Sequence, residues 1–145
     1  MSVEFGNDFS PTWAGRPPGA SQEDFLIWKS WRPSNFKRFD KFNFNVRLFS
    51  RMTFARELAP EIRQMAEWNA AKRIDVLGWC AGVASIIELR DNAGFSAIGQ
   101  LLGYRHLFTK DFPDLTQVKM ILVTNRQDRD ILETAETVDI DVEYV

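Results

Sequence analysis

Apolar and polar residues alternate strictly through Phe42, Phe44, Val46 and Leu48, the period of a strand with one buried face. Before it, Ser21-Gln22-Glu23-Asp24 offers a capping hydroxyl and first-turn acids, so a short helix follows, with Phe25, Ile27 and Trp28 as its apolar side and Pro33 as its stop. Residues 53–71 return to spacings of three and four through Phe54, Leu58, Ile62, Met65 and either Ala66 or Trp68; Pro60 within them either kinks one helix or opens a second. Residues 73–79 and 83–90 are strands joined by a turn at Ala81-Gly82, too short a link for anything but an antiparallel pair. Asp91-Asn92-Ala93-Gly94 ends the second of them, and a helix runs from about Phe95 or Ser96 to Phe108. The nearly continuous apolar run at 118–124 predicts a central strand, residues 125–134 a short helix, and the alternation at 138–145 a last strand. This order predicts an α/β (α+β) fold: a mixed central sheet flanked by helices.

The first 20 residues carry too much Pro and Gly for a helix or a central strand and predict an extended arm. The chain accordingly divides into an aromatic, Pro/Gly-rich docking segment over 1–45 and an α/β domain over 46–145. Phe5, Phe9 and Trp13, with Trp28 and Trp31 after them, are the candidate partner-docking side chains. The interleaving of Phe36, Phe39, Phe42 and Phe44 with Lys37, Arg38, Lys41 and Arg47 fits a half-buried strand with charged edges, a stacking platform for single-stranded nucleic acid, or a partner surface.

With 145 residues, 45% of them hydrophobic, the chain can bury the core of one domain. The lone Cys80 excludes an internal disulfide and a cysteine zinc site and reads as a small core thiol. No signal peptide and no run of about 20 apolar residues is evident, so no membrane partner is expected and the virion or the host cytoplasm is the expected location. Residues 1–73 hold twelve Lys/Arg against eight Asp/Glu, and residues 74–145 six against twelve, so a +4 front half precedes a −6 rear half. The basic half, with Lys29, Arg32, Lys37, Arg38, Lys41, Arg47 and Arg51, suits phosphate or an acidic protein surface, or is solvated charge.

Candidate chemistry lies between Asp75 and Tyr104. Glu88 and Arg90, two apart on a strand, share a face, as do Arg73 and Asp75; Gln100 and Tyr104, four apart on a helix, share another. Carboxylates on neighbouring strands suit a hard cation such as Mg²⁺. The alternative is structural, with Asp75 paired to Arg73 and Glu88 to Arg90. Gly94, Gly99 and Gly103 lack the Lys-Ser/Thr of a phosphate loop; Gly99 and Gly103 read as positions where the helix approaches the sheet. His106, the only histidine, excludes a multi-histidine metal site and reads as a surface residue near a helix end.

Arg73-Ile74-Asp75-Val76-Leu77, Ile86-Ile87-Glu88-Leu89-Arg90 and Gln100-Leu101-Leu102-Gly103-Tyr104 together resemble the PD-(D/E)XK nuclease superfamily, over about residues 53–124 and as far as 145. The chain is also similar to uncharacterised proteins encoded in phage genomes. The resemblance implies a restriction-endonuclease-like fold, with Asp75 and Glu88 as Mg²⁺ ligands, Gln100 and Tyr104 supporting the site, and Glu57 or Glu61 as a candidate third acid from the first helix. It departs at Arg90, which stands where the family has lysine. A guanidinium stays protonated and cannot act as a general base, and no other lysine lies between Arg73 and Thr109. Two functions are therefore expected: a non-enzymatic nuclease-fold protein of phage virion assembly or DNA packaging, docking by its arm on other phage structural proteins or on itself; or a Mg²⁺-dependent DNA endonuclease, with Asp75, Glu88, Arg90, Gln100 and Tyr104 as its catalytic set. Mg²⁺ is expected only in the second case, and DNA is a possible ligand in both.

Overall fold

A computed structural model describes residues 3–49, 59–62, 64 and 72–145. The helix expected over 53–71, Glu57 included, lies outside these residues apart from 59–62 and 64, where Glu61 is exposed. Six strands form one mixed sheet in the order β1-β2-β3-β4-β5-β6, built from β1 (Val3–Glu4), β2 (Lys41–Leu48), β3 (Lys72–Cys80), β4 (Val83–Arg90), β5 (Val118–Thr124) and β6 (Ile140–Tyr144). The first four are antiparallel neighbours; β5 and β6 run parallel to β4, each preceded by a helix, α2 (Phe95–Asp111) and α3 (Arg129–Thr137). The predicted mixed sheet flanked by helices is what forms.

Local chemistry sets the turns. The β3–β4 link places Ala81 and Gly82 at φ of 50° and 80°, the left-handed pair that matches the twist of a two-residue hairpin. Asp128 accepts the amides of Asp130 and Ile131 and so starts α3 later than the expected 125. Ser21 caps α1 (Gln22–Asn35) through the Asp24 amide. Pro33 does not stop this helix: it falls in the last turn, and Asn35 Nδ2 satisfies the Trp31 carbonyl at 2.7 Å.

Helices α2 and α3 cover one face of the sheet, where Leu101, Phe108, Ile131 and Ala135 meet Leu77, Ile86, Met120 and Leu122. Helix α1 covers the other, where Ile27, Trp28 and Trp31 meet Phe42, Phe44, Ile87, Ile121 and Val123. Two corrections to the strand pattern follow. Phe42 and Phe44 face α1, but Val46 and Leu48 face α2, because the alternation slips at Asn45, which adopts φ 52°. The facing strand slips too: Val76 faces α1 and Ile74 the opposite layer.

The aromatic segment is part of this core. Phe5 packs against Trp79, Phe108 and Phe112, while Phe9 and Trp13 pack on each other and on Phe44. Trp28 and Trp31 are buried, and Trp31 Nε1 donates to Glu143 at 2.8 Å. All five side chains expected to dock are thus engaged within the chain, and two points tie the N-terminal segment to β2: Val3 pairs with Leu48, and Phe9 bridges Phe42. The expected division at residue 45 falls inside β2, whose pairing with β3 continues on both sides of it. Phe39, Phe42 and Phe44 are buried and present no stacking platform. Of the basic residues, Arg38 pairs with Glu143 and Lys41 with Asp8. Cys80 is exposed at the end of β3, not in the core. His106 is exposed, as expected. No described helix is long and apolar enough to cross a membrane.

Candidate functional site

The β3–β4 ladder runs from Cys80↔Val83 to Val76↔Ile87 and ends there. One step further, the Asp75 side chain enters the gap: its Oδ2 accepts the Leu89 amide at 2.9 Å, doing the work of a strand carbonyl. Glu88, on the neighbouring strand, points to the α2 side and is only 4% exposed. Arg90 lies on the same face. Its Nη2 donates to Glu88 Oε2 at 2.5 Å and also to Gln100 Oε1, while Nη1 reaches Ser96 Oγ at 3.4 Å. Four residues separate the strand from helix α2, which brings Ser96, Gln100 and Tyr104 to the site.

Electrostatics tie these groups together. Burial pushes the Asp75 carboxyl well above the usual range, and the Glu88 charge, a hydrogen bond to Glu88 and the Asp24 charge push it further, against the Leu89 amide. Glu88 is raised as well, because its burial outweighs the hydrogen bonds from Asp75 and Arg90 and the charge of Arg90. Both carboxyls are thus harder to ionise than usual, and Arg90 sets a positive charge against Glu88. Tyr104 is pushed up to about 12, first by burial and then by Glu88 and Asp75.

Asp75, Glu88, Arg90, Gln100 and Tyr104 thus come to one place. Two details differ from expectation. Asp75 is engaged with Glu88 and the Leu89 amide rather than with Arg73. Among the described residues Asp24 of α1 is a further acid near the site, raised chiefly by burial against its hydrogen bond with Ser21 and the Arg90 charge, while Glu57 lies outside these residues. Nothing in the sequence singled out Asp24 beyond its place in a helix first turn, a position that favours an acid anywhere. Ser96 was equally silent.

Mg²⁺ requires free carboxylate oxygens around an open position. Among the described residues no three His, Cys, Asp or Glu side chains are grouped to hold a metal ion. In the arrangement seen here a Glu88 oxygen is taken by Arg90, and Asp75 is held by Leu89 and Glu88. A hard divalent cation at Glu88 would have to compete with Arg90, the positive group that the described residues place against this carboxylate.

No family model, no curated protein and no solved structure matches this chain.

Proposed function

We propose that this is a non-cleaving protein of the PD-(D/E)XK nuclease fold that works by binding, in phage particle assembly or DNA packaging. The observation that carries the reading is Arg90, held by Glu88 and Gln100 at the carboxyl pair. Charge supports this reading. The guanidinium supplies the positive charge that a metal ion would otherwise bring to Glu88, and it cannot give up a proton to activate water. Phage context rests on the sequence resemblance. Because Phe5, Phe9 and Trp13 pack inside the chain, docking on a partner falls to other surfaces or requires the N-terminal segment to detach. The test is incubation of supercoiled plasmid with the purified protein and Mg²⁺ or Mn²⁺. The expected result is intact plasmid with the wild type; cleavage that disappears in Glu88→Ala would overturn the reading.

A Mg²⁺-dependent DNA endonuclease is the second reading, favoured by one observation: Asp75 and Glu88 meet where the β3–β4 ladder opens. It requires Arg90 to swing off Glu88 when a cation arrives. Arg90→Lys separates the two, since gain of cleavage in that variant alone identifies Arg90 as what silences the wild type.

A further inference from the structure

The carboxyl pair has a second side. Opposite Arg90, Pro17, Pro18, Gly19, Ala20, Asp24 and Asn45 line the space beside Asp75, which leaves about 10 Å³, room for one water at most, and Asp75 itself stays partly exposed. Residues 17–20 form a built turn: the Ala20 amide donates to the Pro17 carbonyl at 3.1 Å, Pro18 fixes the second position, and Gly19 takes the third at φ 78°. This is the chemistry of a type II turn, with Pro and Gly where each is preferred. Arg16 holds the turn from outside, donating Nη2 to the Ala20 carbonyl at 2.9 Å and lying 5.8 Å from the Phe25 ring centre. Underneath, Gly19 sits on Asn45: a Cβ there would lie 2.6 Å from Asn45 Cγ. Asn45 is the residue at which β2 changes face, so the seat and the slip in alternation are one feature. Upstream, the Trp13 ring lies so close over Gly15 that a Cβ at Gly15 would come within 2.4 Å of it, which joins the turn to the Phe9–Trp13–Phe44 cluster.

We propose that the 17–20 turn is an intramolecular plug seated on Asn45, which shields Asp75 from ligands on the α1 side while Arg90 closes the α2 side. Resting on the closed-site reading, it extends that reading to the N-terminal segment. The Pro-Pro-Gly run is then a preorganised stopper and not a loose tether. Release of the plug, which carries the Phe9 and Trp13 cover with it, is the step that widens access to the partly exposed Asp75.

Carbodiimide labelling of the full-length protein, with the modified carboxyls located by mass spectrometry, tests this. Gly19→Val places a side chain into Asn45 at a φ that valine resists. Asn45→Gly removes the seat while tolerating the backbone. Both are expected to raise the Asp75 labelling rate about fivefold or more over wild type, with labelling of the distant Asp111 and Asp114 unchanged and far-UV circular dichroism retained. Equal Asp75 labelling in wild type and both folded variants overturns the plug. A wild type that cleaves plasmid, yet shows faster Asp75 labelling in the variants, would sink the non-cleaving function and leave the plug standing. The opposite pair of results would sink only the plug.

Discussion

Burial and the neighbouring Glu88 charge raise the Asp75 carboxyl, and this sets how the site responds to pH. The folded-state pKa lies above the unfolded value, so the protonated Asp75 stabilises the fold fully below the ordinary carboxylate range, and that stability is lost as pH rises through the folded pKa. Asparagine mimics the protonated form: its oxygen can take the Leu89 amide and its nitrogen can donate to Glu88. Urea denaturation of Asp75→Asn is expected to match wild type near pH 4 and to exceed it increasingly as pH rises, by about 1.4 kcal/mol per pH unit within the window. A curve parallel to wild type would show that Asp75 is ionised in the fold. Arg90 gives the complementary case. Removing the guanidinium strands a nearly buried Glu88, and since solvent still reaches 29% of the Arg90 side chain, Arg90→Ala is expected to cost about 2 kcal/mol, below the range for fully buried pairs. In Glu88→Gln/Arg90→Met the loss should be largely recovered, as a double-mutant cycle measures. The residue identities of the cluster were legible in the sequence, because a strand period and a helix period suffice to put Glu88 with Arg90 and Gln100 with Tyr104. That Asp75 would take the Leu89 amide was not, since that depends on the ladder ending at Val76↔Ile87.

Helix α2 shows the same division at the scale of elements. Its presence was plain from the apolar spacing, but Gly99 and Gly103 were expected to face the sheet. They face outward, with nothing within 4 Å of where a Cβ would be. The apolar stripe of α2 is Ala97, Ile98, Leu101 and Phe108, and the two glycines lie beside it. Neither has a positive φ, so alanine fits both. Gly99→Ala and Gly103→Ala are each expected to stabilise the protein by about 1 kcal/mol, read as a shift in the urea midpoint at constant slope. Destabilisation by either would mean that the helix leans on something at that face. Strand β2 failed the simple period for a different reason: the left-handed Asn45 turns the chain over between Phe44 and Val46, and a two-residue alternation cannot register such a step.

For the whole molecule, the N-terminal segment and the C-terminal strand close the structure around the site. Arg38 and Trp31 both bond to Glu143 of β6, while residues 17–20 line the space beside Asp75 and Arg90 covers Glu88. Composition allowed one core, and two packed layers on one sheet supply it. The long-range return of the aromatic residues onto β2 was beyond any local pattern, because Pro and Gly describe a turn without saying what it rests on. A non-cleaving site requires that Arg90, and not a cation, stay with the carboxyl pair. The most direct measurement is carboxyl ¹³C NMR of Asp75 and Glu88 across a pH titration, with and without Mg²⁺. The expected result is that Asp75 titrates above the ordinary carboxylate range and that millimolar Mg²⁺ shifts neither resonance. An Asp75 that titrates with the surface carboxylates, or a Mg²⁺-dependent shift at both residues, would contradict it.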